Sequence, residues 1–332
     1  MMYILYVLLV KKNKLCYTYI YKRGVYMKLS IIIPCKNEEG NIIELHSKIC
    51  DTLKKIKYEI IFIDDGSTDK TLDKLNEIYK KDKEHVRIIS FSRNFKKESA
   101  MYAGCEHATG EYTCIMDGDM QQNPRYLLEM IDFLDNNEDY DEIAMMVKER
   151  TNESKIMRFC KKIFYKFIDS ISDVHFESNA SDFRMFRENV RKSIVGLKEK
   201  NRFIKGIFSW VGFKIKYVDY EIEPRKSGKT SFGFKGYLSY AIDGITDFSI
   251  KPLKISFVFG IILLFITFIY FIIFVLSPFT FNGFLILLLL FLFSVQFIFI
   301  GIVATYIAKI HLEVKNRPIY ISKEEKGFEK HE

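Results

Sequence analysis

Two stretches of this 332-residue chain contain no charged residue: 255–276 and 284–308, which are 22 and 25 residues long. Coiled as helices, each is long enough to cross a hydrocarbon core of roughly 30 Å. The connector, Ser277-Pro278-Phe279-Thr280-Phe281-Asn282-Gly283, is short and uncharged. Two buried soluble helices of this kind in succession are the weaker alternative, and residues 253–310 read as a two-helix transmembrane hairpin. Lys251 and Lys254 precede the first run, and Lys309, Lys315 and Arg317 follow the second. Cations on both flanks set the orientation. The expectation is a multi-pass protein of the cell membrane whose two termini, including a tail over 311–332, are cytoplasmic.

The rest of the chain carries the charge. Hydrophobic residues make up 48% of the sequence beside 28% charged residues, so the two kinds are segregated along it. Cys16, Cys35, Cys50, Cys105, Cys114 and Cys160 show no Cys-x-x-Cys spacing, which fits reduced thiols rather than a disulfide framework or a zinc knuckle. The net charge of +8 sits largely around the apolar runs and no nucleic-acid motif accompanies it, so nucleic acid is not an expected partner. Residues 1–10 are apolar but too short to span a bilayer, and Met27 stands directly before "KLSIIIPCKNEEG". Residues 1–26 are therefore read as a poorly ordered extension or the product of an upstream start.

From Lys28 the pattern alternates. "LSIIIP", "YEIIFID", "VRIISFS", "EYTCIMD" and "EIAMMVK" are short β-branched runs, separated by segments of helical spacing such as "DKTLDKLNEIYKK" and "PRYLLEMIDFLDN". That alternation predicts a Rossmann-like, mostly parallel sheet covered by helices on both faces, over residues 27–225. Ligands bind such sheets at the carboxyl ends of the strands. The polar clusters fall there: Asn37-Glu38-Glu39, Asp64-Asp65-Gly66-Ser67-Thr68-Asp69, Arg93-Asn94 and Asp117-Gly118-Asp119. Beyond residue 148 the pattern changes. Residues 154–171 set Ile156, Phe159, Ile163, Phe164 and Phe167 on one helical side among five cations, which fits a helix on the sheet or one lying on an anionic membrane. Residues 226–252 form a juxtamembrane amphipathic segment.

Paired acids one residue apart repel unless a cation or a ligand holds them. In an extended Asp-x-Asp both carboxylates share a face, and Mg²⁺ or Mn²⁺ is usually held by one or two carboxylates together with substrate phosphates. In "IDDGSTDKT", Asp-Gly-Ser is ordinary turn chemistry and Thr68 or Asp69 suits a helix cap. Asp64 or Asp65 would then face the crevice. No phosphate-binding Gly-rich fingerprint is present.

The ordered segments "LSIIIPCKNEEGNI", "FIDDGSTDKT", "SRNFKKESAMYAGCEHATGEY", "MDGDMQQNP", "SDFRMF" and "RFIKGIFSWVGF" resemble the family 2 glycosyltransferases of GT-A fold. The likeness is to the polyprenyl-phosphate branch, which includes dolichyl-phosphate mannose synthase and bactoprenol glucosyltransferases. It covers about residues 28–250. The resemblance implies nucleotide-sugar contacts from Pro34, Glu38, Asp65, Asp117, Gly118 and Asp119. It implies a metal site at Asp117, Asp119 and Gln121, and catalytic roles for Asp119 and Asp182. Arg202, Lys205 and Arg225 are the implied acceptor-phosphate ligands. Two departures stand out. The branch often reads Asp-Ala-Asp-Leu-Gln-Asp-Pro-Pro where this chain has Gln122 and Asn123, and a later basic motif has lost its first Arg and its Lys, leaving Arg225, Lys226 and Lys229.

The implied reaction is inverting, metal-dependent transfer of a sugar, with UDP-glucose the first choice of donor, onto undecaprenyl phosphate. Transfer to a sugar hydroxyl during polysaccharide synthesis, and a non-catalytic nucleotide-sugar-binding scaffold, are the alternatives. Oligomeric partners, a flippase and a downstream glycosyltransferase are left open by the sequence.

Overall fold

A computed structural model describes residues 27–147, 180–200, 202, 204–223 and 281–328, with 265, 269 and 272. The basic segment 154–171, the extension 1–26 and the segment 226–252 lie outside the described residues.

Among the described residues, the β-branched runs become strands and the period-3.6 runs helices. In chain order these are β1 (Leu29–Cys35), α1 (Ile42–Thr52), β2 (Tyr58–Asp64), α2 (Thr71–Lys81), β3 (Val86–Phe91), α3 (Lys97–His107), β4 (Tyr112–Ile115), α4 (Tyr126–Asn136) and β5 (Glu142–Val147). Then follow β6 (Ala180–Arg187), α5 (Glu188–Gly196), α6 (Ile204–Trp210), β7 (Ile215–Tyr220), α7 (Phe281–Val314) and β8 (Ser322–Lys326).

One eight-stranded sheet runs in the order β7-β5-β6-β4-β1-β2-β3-β8. Alternation along the central strands splits the core. Leu29, Ile31 and Ile33 pack with Leu45, Ile49, Leu75, Leu127 and Met130 on the α1/α2/α4 face. Ile32, Ile61, Ile63 and Ile89 pack with Ala100, Met101, Ala103 and Phe208 on the α3/α6 face. Small residues let α3 approach closely: a Cβ on Gly104 would run into the Ile32 side chain.

β1, β2, β3 and β4 pair in parallel, as expected. β6 does not; it inserts antiparallel between β4 and β5. The tail expected over 311–332 contributes a strand of its own. β8 adds antiparallel to the edge of β3, Ser92 donates its N–H to the Ile321 carbonyl at 3.0 Å, and Tyr320 stacks on Phe91 with ring centroids 5.0 Å apart. The C-terminal segment thus completes the N-terminal sheet.

The backbone of α7 runs unbroken for 34 residues, about 50 Å at 1.5 Å per residue. Counting only residues whose side chains are described, no helix is long and apolar enough to cross a membrane. Of the expected first span only Phe265, Ile269 and Ile272 are described, and each is helical and exposed.

Candidate functional site

Antiparallel register explains why two distant acids meet. Ile115 of β4 sits opposite Arg184 of β6. Two residues further along β4, and two back along β6, are Asp117 and Asp182. Between them stands Lys97, the first residue of α3. Its Nζ lies 2.6 Å from Asp117 Oδ1 and 2.7 Å from Asp182 Oδ2. The three side chains, from β4, α3 and β6, make one charge-assisted bridge at the carboxyl end of β4. Burial raises the proton affinity of Asp117, the nearby ammonium opposes that rise, and the Asp182 and Asp119 charges add to it. Burial alone would depress the Lys97 pKa, but the two carboxylates outweigh it and raise the value well above that of an ordinary lysine.

Lys97 lies within one of the resemblance motifs, which implies no role for it. A signal was there. A cation in the first turn of a helix opposes the helix dipole, and Lys96 before it takes a φ of 77°. Strain of this kind persists where the surroundings enforce it, commonly at functional sites. Among the described residues, the non-glycine residues with positive φ are Asn37, Lys96, Met120 and Asn316. Three of them lie in the loops that border this crevice.

The Asp117–Asp119 turn is braced from within. Asp117 donates its N–H to Gln122 Oε1 at 2.8 Å, and Gln122 Nε2 donates back to Asp117 Oδ2 at 3.0 Å. An aspartate at 122 has no N–H to return, so the departure from the family pattern gives Asp117 a donor. Asn123, the other departure, donates to Glu223 Oε1 at 2.6 Å. Asp119 is buried, and its Oδ1 accepts the Gln121 N–H at 3.1 Å. Gln121 in turn is tied to the Glu223 backbone through its own carbonyl and its Nε2.

The first motif borders this turn. A Cβ built on Gly118 would lie 3.5 Å from the Pro34 carbonyl and 3.6 Å from Glu38 Cγ. These are ordinary contacts, so the protein itself does not demand glycine there; the bare backbone matters only to something approaching from the crevice. Glu38 donates its N–H to Thr71 Oγ1 and accepts from Asn41 Nδ2 at 2.6 Å. Asn37 and Glu39 cross-link to Ser67, Thr68, Asp69 and Lys70, so the loops after β1 and β2 form one rim.

The acids after β2 divide. Asp64 is buried and accepts from Ser67 N and Ser90 Oγ. Asp65 is buried too, its Oδ1 accepts the Phe95 N–H at 2.6 Å, and burial raises its pKa. It therefore fixes the loop leading to Lys97. Gly66 lets that loop close: its φ is +64°, and a Cβ would come within 2.7 Å of the Arg93–Asn94 backbone. Asp69 accepts from the Thr71 N–H and hydroxyl at the start of α2, from the position before the N-cap residue Lys70, which has no side-chain cap bond of its own.

The expected acceptor ligands fare differently. Arg202 is buried, with its guanidinium donating to the Leu197 and Ile194 carbonyls at 2.6 and 3.1 Å and lying 4.6 Å from the Tyr102 ring centroid. Those contacts tie Arg202 to the end of α5, while its buried Nε has no partner among the described residues. Lys205 belongs to α6, and Arg225 lies outside the described residues.

For a divalent cation, the oxygen donors of Asp119 and Gln121 suit Mg²⁺ or Mn²⁺. Asp117 is the weaker candidate, because both of its oxygens already accept from Lys97 and Gln122.

Residues 30–194 match the profile described as "Glycosyl transferase family 2". A prophage bactoprenol glucosyl transferase homolog of Escherichia coli is 34% identical over 305 residues, covering 90% of this chain and 99% of that one. The bactoprenol glucosyl transferase of Shigella phage SfII matches at 34% over 90% and 98%. An uncharacterized glycosyltransferase of Synechocystis is 35% identical over 91% and 97%. Among solved structures, glucosyl-3-phosphoglycerate synthase of Mycobacterium tuberculosis, in a complex with Mn²⁺ and UDP-glucose, aligns with TM-score 0.44 at 15% identity over 66% and 77% of the chains, too loosely to support residue-level argument. The chain belongs to glycosyltransferase family 2 and is a glycosyltransferase.

Proposed function

We propose that this glycosyltransferase moves a sugar from a nucleotide sugar, UDP-glucose first among the candidates, onto a polyprenyl phosphate at the cytoplasmic face of the cell membrane. The observation that carries the reading is the return of the chain through β8. The helix α7, whose residues 281–308 are all uncharged, ends eight residues before β8, and β8 lies on the edge of the same sheet that leads into Asp117 and Asp119. A chain that leaves a domain, enters a bilayer and returns to that domain crosses an even number of times, so a two-span hairpin over 253–310 fits. Along α7 the apolar side chains Phe284, Leu289, Phe291, Ile300, Val303 and Ile307 are exposed, which suits lipid far better than water. Relatives named for bactoprenol support a lipid acceptor.

The chemistry follows from the acceptor. A phosphate monoester has a second pKa near ~6, so at neutral pH it is mostly a dianion and scarcely needs a general base. Catalysis then rests on alignment and on stabilising the departing nucleoside diphosphate. Asp119, with Gln121 beside it, would hold Mg²⁺ or Mn²⁺, which when bound neutralises charge on the diphosphate. Pro34, Glu38 and Gly118 border the donor. Asp65 acts here through the Phe95 loop. Lys97 holds Asp182 and Asp117 in register so that Asp182 faces the sugar. Lys205 and Arg225 are the acceptor-phosphate candidates, and attack opposite the leaving group inverts the anomeric carbon.

The test is a washed-membrane assay with radiolabelled nucleotide sugars. Label in an organic-extractable, mild-acid-labile lipid is the expected result; label confined to polymer would overturn the reading.

A further inference from the structure

At the opposite end of the sheet is a second cluster that the glycosyl transfer does not use. His46 and Cys50 lie one helical turn apart on α1, so they share a face. Asp82 follows α2, and His85 directly precedes β3. His46 Nε2 lies 3.0 Å from Asp82 Oδ2. Cys50 Sγ lies 3.4 Å from the same ring nitrogen and 3.9 Å from the same carboxylate oxygen. On the far side, Asp82 Oδ1 accepts from the His85 backbone N–H at 3.2 Å and pairs with His85 Nδ1 at 2.8 Å. The His85 ring stacks on Tyr58 at 4.5 Å, and the Tyr58 hydroxyl shares a hydrogen bond with Cys50.

We propose that His46, Cys50 and Asp82 form a binding site for a thiophilic divalent cation of the Zn²⁺ class, separate from the metal site of sugar transfer. Three electron-rich atoms converge here with too few protons to satisfy every pair. If His46 Nε2 carries a proton it can donate to Asp82, but it then cannot accept from Cys50. The thiol then keeps the Tyr58 hydroxyl and, as a target for its own proton, only a carboxylate oxygen 3.9 Å away. A cation at the centre satisfies all three at once. Bonds of about 2.0–2.3 Å to N, O and S place the corners of a tetrahedron roughly 3.3–3.7 Å apart, and the three separations here, 3.0, 3.4 and 3.9 Å, bracket that range, so shifts of a few tenths of an ångström would seat the ion. Sulfur with imidazole selects Zn²⁺ over Mg²⁺. His85 occupies the place of an outer partner, fixing the carboxylate so that Oδ2 points inward. His46 and Asp82 are each 17% exposed, which admits the ion and leaves its fourth position to water. These residues sit at the amino ends of β2 and β3, whereas Asp119 follows the carboxyl end of β4. Bound there, the ion would clamp α1 to the turn between α2 and β3.

The experiment uses the full chain in detergent, stripped with chelator and titrated with Co²⁺. One equivalent should give the near-ultraviolet thiolate-to-cobalt charge-transfer band and the visible bands of a tetrahedral site. Cys50→Ser should lose the charge-transfer band, His46→Ala should lose stoichiometric binding, and Asp119→Asn should keep both signals. Zn²⁺ should raise the melting midpoint of the wild type but not of Cys50→Ser, whose metal-free midpoint serves as the folding control. A wild type without the charge-transfer band, a band that survives Cys50→Ser, or a band lost in Asp119→Asn would each overturn the assignment. None of these readouts depends on sugar transfer.

Discussion

Replacing Lys97 with methionine keeps most of the unbranched side chain, one atom shorter, and removes its charge. Nζ lies 2.6 and 2.7 Å from one oxygen each of Asp117 and Asp182, so those oxygens are no more than about 5.3 Å apart, and without the ammonium they face each other as like charges. At an effective dielectric near 20 that repulsion is about 3 kcal/mol, and in bulk water it is below about 1 kcal/mol. The Lys97 side chain is 38% exposed, so screening sets the working range at about 1–3 kcal/mol. Divided by 1.36 kcal/mol per pH unit, this moves the titration of the acid pair upward by about one to two units. The sign is fixed: a carboxylate whose counter-cation is gone holds its proton to higher pH. Transfer by Lys97→Met should therefore fall on the order of 100-fold at neutral pH, with part of the loss regained as the pH rises. Lys97→Arg, which keeps the charge, should retain more of the rate. The assay is initial-rate transfer of labelled sugar into extractable lipid across a pH series. A methionine variant with the wild-type rate and an unshifted profile would refute the bridging role.

Asp119→Asn should abolish divalent-cation-dependent transfer while leaving the melting midpoint unchanged; a variant that still responds to added Mn²⁺ would remove Asp119 from the metal site. Arg202→Ala should cost about 2–4 kcal/mol of stability through its lost carbonyl bonds, without raising the KM for polyprenyl phosphate in the folded fraction. A raised KM at unchanged stability would return Arg202 to the acceptor. Glu142 is fully buried against Arg184 at 2.8 Å, and burial, only partly opposed by that guanidinium, lifts its pKa to about 7 from 4.5. The folded state then binds more protons than the unfolded one across that window, so this residue's contribution to stability is largest at or below pH 4.5 and is lost as the pH rises to about 7. Denaturant midpoints should fall over that range by an amount on the order of 2–3 kcal/mol more in the wild type than in Glu142→Gln, and equal falls would discount the buried pair.

How much was legible depended on the range of the interaction. The β-branched runs declared β1 to β5, and the alternation of helices declared the parallel centre, because each is a local pattern. "SDFRMF" has no such declaration: Asp182 and Arg184 within it, and Arg187 just after it, interrupt the apolar pattern, and the strand makes sense only once Arg184 is paired with Glu142 and Arg187 bonded to the Leu134 carbonyl. β8 was hidden for the same reason. "SKEEK" is almost wholly charged, and strand propensity argues against it. It is a strand because β3 offers an unpaired edge, where charged side chains are tolerated and the backbone supplies the bonds.

That edge also links fold to function. If the acceptor is lipid-linked, as proposed, it cannot leave the bilayer, and the crevice has to be held near the headgroups. One tether from residue 223 into the first apolar run would leave the domain free to swing. A second attachment, through β8 on the far edge of the sheet, restrains it at two points, since β7 and β8 are the two outermost strands. Tyr320 reinforces this attachment, stacking on Phe91 and donating its hydroxyl to Glu106 at 2.7 Å on α3, the helix whose first residue is Lys97. The tail after α7 is therefore joined through a single helix to the cation that bridges Asp117 and Asp182. Loosening Tyr320 should disturb transfer as well as stability, whereas a tail that served only as an anchor would affect stability alone.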